Sequence, residues 1–147
     1  MSKLYDMRLA LRDLIVAANI GWQNKTVLIK RQGSTFNDVA TAINASTNGA
    51  VLHIGVASGE PTEPDSLEME LTIPITLICK PSVSKDAIPE EDLWEKLVRF
   101  VHDLRISPDD HFSYRLRFGG FTDLDIEADG GTSYLGRQTI FKKHLSL

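Results

Sequence analysis

At 147 residues the chain is the size of one domain, long enough to bury a core without disulfides or metal. Hydrophobic content of 42% and charged content of 24% exclude a disordered chain, and a net charge of −4 gives no overall electrostatic footprint for nucleic acid. A single cysteine, Cys79, excludes an internal disulfide framework and fits a reducing compartment.

The first element is an amphipathic helix over residues 3–18. Leu4, Met7, Leu11, Leu14, Ile15 and Ala18 follow the i, i+3, i+4, i+7 spacing, with Lys3, Arg8, Arg12 and Asp13 mostly opposite. Ser2 is placed as its N-cap and Asn19-Ile20-Gly21 as its stop. The charges along this N-terminus interrupt any signal-peptide core, and no apolar run approaches the length of a membrane span. The expectation is a protein that is soluble and intracellular when made.

Thr26–Lys30 reads as a short strand. Thr35 with Asp38 resembles a capping pair, and Phe36, Val39, Ala40 and Ile43 make a short helical stripe ending at Asn48-Gly49. Ala50–Ala57 is nearly continuous in apolar residues and reads as a central strand. The polar stretch 59–66, GEPTEPDS, reads as a loop without ordered structure.

The stretch from Leu67 to Lys80 organises the rest. Met69, Leu71, Ile73, Ile75, Leu77 and Cys79 share one parity, while Glu68, Glu70, Thr72, Thr76 and Lys80 share the other, with Pro74 and Ile78 as exceptions. Such alternation predicts a half-buried strand. At about 3.3 Å per residue it reaches roughly 45 Å, more than a small core needs, so part of it is expected to project towards a partner. Pro74 cannot donate a ladder hydrogen bond and predicts an edge position, a bulge or a bend. Cys79 falls on the apolar parity, as a buried thiol.

Pro89-Glu90-Glu91-Asp92 opens the strongest helix, with acids at the positive end of its dipole. Leu93, Trp94, Leu97, Val98, Phe100, Val101 and Leu104 form its apolar stripe, and Ser107-Pro108 is its expected stop. Phe112, Tyr114, Leu116 and Phe118 alternate with Ser113, Arg115 and Arg117 as a strand, Gly119-Gly120 reads as a turn, and Leu124, Ile126 and Ala128 alternate with acids in a second strand. Gly130-Gly131 makes another turn before a last strand, Tyr134–Leu145, which ends in the basic Lys142-Lys143-His144. The order α–β–α–β–β–α–β–β–β predicts a single α+β domain, a mixed and mostly antiparallel sheet with helices packed on one face.

No constellation carries catalytic chemistry. The acids in 123–131 fail the calcium-loop pattern, whose twelfth position would be Gly136, and read as the solvated face of a strand. Asp109-Asp110-His111 lacks a second ligand cluster, and His53, His102 and His144 lie on separate elements. Cys79 on a buried face is no nucleophile. Neither phosphate-binding glycine motif occurs, nor a nuclease-type acid two residues before a lysine. The expectation is a protein that is not an enzyme, with no cofactor, no metal, no nucleic-acid sequence recognition and no membrane contact.

Candidate interaction residues remain. Arg115 and Arg117 share a strand face, with Arg137, Lys142 and Lys143 on the last strand, and they are expected to meet the Asp123, Asp125, Glu127 stripe of a neighbouring subunit in a head-to-tail ring. Glu60, Glu63 and Asp65 mark the polar loop as a partner-contact site.

Over nearly its whole length the chain resembles the tail terminator, or tail completion, proteins of long-tailed bacteriophages and the related caps of contractile particles. The resemblance lies in the N-terminal helix LYDMRLALRDLIVA, the proline-containing loop, the extended strand LEMELTIPITLICK, the helix EEDLWEKLVRFVHDL and the closing hairpins. It implies a small fold that assembles as a six-membered ring on the head-proximal end of the virion tail, having been made in the bacterial host cytoplasm. There it would bind the tail tube protein, halt tube polymerisation and offer a surface to head–tail connector proteins. Two other readings share these features: another neck, tail or cellular interaction module, and, behind it, a small enzyme with a scattered site.

Overall fold

A computed structural model of the chain describes residues 3–29, 36–45, 49–80, 90–107, 114–127 and 133–147. The expected Asp109-Asp110-His111 loop and the Gly130-Gly131 turn lie outside the described residues. The elements are α1 (Lys3–Ala17), a 3₁₀ turn (Asn24–Thr26), β1 (Val27–Ile29), α2 (Phe36–Ala45), β2 (Ala50–Ile54), β3 (Ser58–Pro61), β4 (Glu68–Cys79), α3 (Glu91–Val101), β5 (Arg117–Glu127) and β6 (Ser133–Ser146). All six strands join one sheet in the order β1-β2-β4-β6-β5, with β3 beside β4. Only the β1–β2 pair is parallel, and α2 lies between these strands in the chain, as a parallel pair requires a crossover. The domain is therefore α+β, as the element order predicts.

The alternation of β4 divides two cores. Leu71, Ile73, Ile75, Leu77 and Cys79 are each no more than 1% exposed. They meet Met7, Leu11 and Ile15 of α1, Leu97 and Val101 of α3, Leu52 and Ile54 of β2 and Phe141 of β6. At about 1.5–3 kcal/mol for each fully buried large aliphatic side chain, this face holds most of the fold's hydrophobic stabilisation. Ile78, the exception to the parity, faces the other way and packs with Val39, Ala42 and Ile43 of α2, Val51 of β2 and Tyr134 of β6. The expected gathering of helices on one face thus holds for α1 and α3, whereas α2 covers part of the opposite face through a second, smaller core.

Pro74 does not mark an edge. β4 is an interior strand, paired with β6 along its whole length from Glu68↔Ser146 to Cys79↔Leu135. On its other side β2 pairs as far as Ile54↔Ile75 and β3 begins at Ser58↔Thr72, so the discontinuity falls in the neighbour. At that break Gly55 N–H donates to the Pro74 carbonyl at 2.8 Å, and the proline's missing N–H costs no ladder bond. A Cβ on Gly55 would stand 2.8 Å from Pro74 Cγ, so only glycine lets the two chains approach here.

Two further expectations are corrected. The 59–66 stretch is ordered in part: Gly59, Glu60 and Pro61 belong to β3, with Pro61 closing an edge strand, where a proline is tolerated. Its polar composition concealed a strand held by the β4 ladder rather than by burial. Gly119-Gly120 is not a turn but a bulge within the single strand β5, where Phe118 pairs with Phe141 and Phe121 already with Thr139. Gly120, at φ +107°, supplies the conformation that the extra residue needs. Of the segment read as the preceding strand, Phe112 and Ser113 lie outside the described residues, residues 114–116 are not strand and β5 begins at Arg117, while α3 ends at Val101 rather than near Ser107.

Candidate assembly surface

The bulge decides which charges meet. In a regular strand Arg117, Phe121, Asp123 and Asp125 would share a face. With one extra residue inserted, Arg117 opposes Lys142 on the face bearing α2, while Asp123 opposes Arg137 on the face bearing α1 and α3. Two separate charged clusters result.

On the α3 side, Arg137 is buried to 7% side-chain exposure and binds Asp123 bidentately, Nε–Oδ1 2.7 Å and Nη2–Oδ2 3.1 Å. Its Nη1 reaches Glu91 Oε1 at 3.1 Å, in the first turn of α3. The guanidinium lies against the rings of Trp94, 4.6 Å away, and Phe121, 4.4 Å away, which themselves meet edge to face with centroids 4.8 Å apart. Trp94 Nε1–H donates to Thr139 Oγ1 at 2.8 Å. The Asp123 hydrogen bond above all raises the Arg137 pKa further above its ordinary value. A planar fork that fits a carboxylate and stacks on rings suits arginine and not lysine. This cluster fastens β5, β6 and α3 together, so Asp123 is engaged within its own subunit.

On the open side, Glu70 of β4 collects three basic groups: Lys142 Nζ at 3.4 Å, Arg117 Nη2 at 3.7 Å and His144 Nε2 at 3.9 Å. Arg117 Nη2 also lies 3.5 Å from His144 Nε2. Arg117 and Lys142 keep 47% and 45% of their side chains exposed, and one carboxylate cannot neutralise both. The basic run 142–144 is split by strand alternation: Lys143 is buried on the opposite face and donates to the Tyr114 carbonyl.

The remaining predicted residues fall as follows. Arg115 is half-buried ahead of β5 and does not share a strand face with Arg117. Asp125 is exposed opposite Leu135, and Glu127 closes β5 opposite Ser133. Glu60 lies on β3 opposite Glu70, and Glu63 and Asp65 are exposed in the turn that leads into β4. That turn is fixed by Thr62 N–H to the Glu68 carbonyl, 3.0 Å, and Glu68 N–H to Ser66 Oγ, 3.0 Å, with Asp65 at φ +62°. The structure therefore brings Arg117 towards Glu70, not towards Asp123. Sequence alternation placed Glu70 on the solvated side, but its role as a hub depends on registers that alternation does not reveal.

Three strands pair on one side only. Among the described residues β1 pairs only with β2, β3 only with β4 and β5 only with β6. The start of β5 is partly closed by the chain after α3: Phe118 N–H donates to His102 Nδ1, 3.1 Å, and Leu116 N–H donates to the Leu104 carbonyl, 3.1 Å. Beyond the bulge the edge from Phe121 is open among the described residues, and Phe121 is 48% exposed. Among the described residues no three histidine, cysteine or acidic side chains converge as a metal site, and no helix is long and apolar enough to cross a membrane. No protein-family model and no curated protein matches the chain.

Proposed function

We propose that this chain is a ring-forming subunit that caps the tail tube of a long-tailed bacteriophage, ends its polymerisation and prepares the surface for head joining. The observation that carries this reading is that the sheet is open on both sides. β5 ends one side and β1 the other, with β3 beside β4 one strand inside β1, and among the described residues each of the three pairs with a single strand. Copies that join by two different edges make a head-to-tail contact, which closes into a ring when the rotation per copy allows. Exposed strand edges are otherwise a hazard of uncontrolled pairing, which a closed ring removes.

The half-open sheet face supports the same reading. α2 covers the β2 end, whereas Glu70, Thr72, Lys142 and His144 present a polar surface on which a tube or connector subunit can sit. Native mass and negative-stain microscopy of the purified chain over a concentration series test the proposal. It expects one closed species with a central hole. A monomer at every concentration that also fails to bind tail tubes would overturn it.

A further inference from the structure

The three strands with an unpaired side among the described residues differ in what that side offers. β1 is three residues long, and Arg12 Nε donates to its Val27 carbonyl at 3.0 Å. β3 is four residues long and closes on Pro61, which has no N–H to give. β5 is longer, and its bulge sets what lines the free side. Ahead of the bulge, Leu116 and Phe118 turn their N–H groups away from β6, to the Leu104 carbonyl and to His102 Nδ1. Phe118 stands opposite Phe141 and Phe121 opposite Thr139, two residues along β6, so Phe121 repeats the backbone orientation of Phe118. Asp123 and Asp125 follow at the same spacing. Beyond the bulge the N–H and C=O groups of Phe121, Asp123 and Asp125 therefore face outward, and no described residue takes them.

The side chains of these three residues lie on the α3 side of the sheet. Phe121 is 48% exposed and meets Trp94 edge to face, with centroids 4.8 Å apart. Asp123 and Glu91 share the Arg137 guanidinium, and Asp125 is exposed with no ion pair among the described residues, so three carboxylates answer to one cation. On the other face of the same stretch Leu124 is 39% exposed. One open edge thus carries outward backbone groups, exposed apolar side chains and excess negative charge. A strand laid against it gains main-chain bonds, an apolar contact at Phe121 and a cation's place beside Asp125. A second copy of β5 does not fit. Two-fold antiparallel pairing through the middle of the stretch sets Asp123 or Asp125 of one copy opposite Asp123 or Asp125 of the other, and like charges directly opposite destabilise a pair.

We propose that residues 121–126 of β5 accept an added strand from another protein, an extended segment with Lys or Arg opposite Asp123 and Asp125 and an apolar side chain opposite Phe121. The site goes beyond the ring-forming reading, and either can stand without the other.

The probe is a fluorescently labelled peptide, Thr-Val-Lys-Val-Arg-Thr-Phe. Laid antiparallel, it sets lysine against Asp125, arginine against Asp123 and phenylalanine against Phe121. One control peptide is N-methylated at the lysine and arginine amides, and another carries glutamate in place of both cations. Fluorescence anisotropy with the purified full-length chain should show binding of the probe, and binding about tenfold or more weaker for each control. Hydrogen exchange at the Phe121, Asp123 and Asp125 amides should slow when the probe is bound. Asp125→Pro removes one outward donor while keeping the β6 ladder, and it should weaken binding by a similar factor, with urea unfolding to check its fold. No binding at about 1 mM probe, equal binding of the methylated peptide, normal binding by folded Asp125→Pro or unchanged exchange at those amides would overturn the site. Equal binding of the glutamate peptide would overturn the basic partner. Slow exchange of the same amides in the peptide-free chain, in a dimer or ring seen by native mass, would make a second copy the occupant. That result would overturn this proposal and leave the ring reading standing.

Discussion

Burial of the Cys79 side chain, reinforced by the nearby Glu90 charge, raises its thiol pKa from an ordinary 9.0 to about 11. The fold accommodates the neutral form, so this contribution to stability is complete below about pH 9 and is lost as pH rises towards about 11. Urea unfolding of wild type should weaken across that window, and the Cys79→Ala chain should lack that part of the slope. Thiol alkylation at neutral pH should be slow in the native chain and fast once it is unfolded. Two glycines answer to different physics. Gly55→Ala drives a methyl into the Pro74 ring and should cost about 1–3 kcal/mol, read from the urea midpoint. Gly120 has open space around its Cβ position, so Gly120→Ala isolates the cost of φ +107°, about 1–3 kcal/mol. An unchanged midpoint in either variant would contradict the corresponding argument.

At the scale of elements, α2 is held to the sheet by a core separate from the main one. Ile43 is fully buried there against the β2 and β6 side of the sheet, and Ile43→Ala should lower stability by about 2–5 kcal/mol. Loss well under 1 kcal/mol in chemical unfolding would mean that α2 contributes little. Arg137→Lys keeps the charge but loses the bidentate fork and the guanidinium contact with the Trp94 and Phe121 rings. It should cost about 1–3 kcal/mol and shift Trp94 fluorescence, whereas an unchanged spectrum would contradict the clamp. The sequence made β4 legible because one face is buried and the other wet, and α1 and α3 because their stripes meet that same face. It misread Arg8 as solvated: the side chain is buried, with Nη1 donating to the Gly55 carbonyl at 3.2 Å. Strand β3 was hidden because its four residues are all exposed and owe their order to a ladder, not to a pattern. The paired glycines of β5 were read as a turn because a bulge and a turn draw on the same residue. That one residue then moved Arg117 away from Asp123, so the candidate charges were legible but their partners were not. Partners follow from register, which is a long-range property.

At the scale of the molecule, the sheet is asymmetric. One face packs against α1 and α3, the other is covered in part by α2, and the terminal strands β1 and β5 run in opposite directions. In the proposed role, a cap has to distinguish the end of a tube from its wall, and a ring would do so by matching one face to the terminal layer of tube protein. The most direct test of the proposed capping role is electron microscopy of phage tail tubes polymerised from purified tube protein, with and without the chain present. The account predicts extra density at a single end of each tube and an arrest of further growth. Tubes that elongate normally, or that carry the chain along their walls, would contradict it.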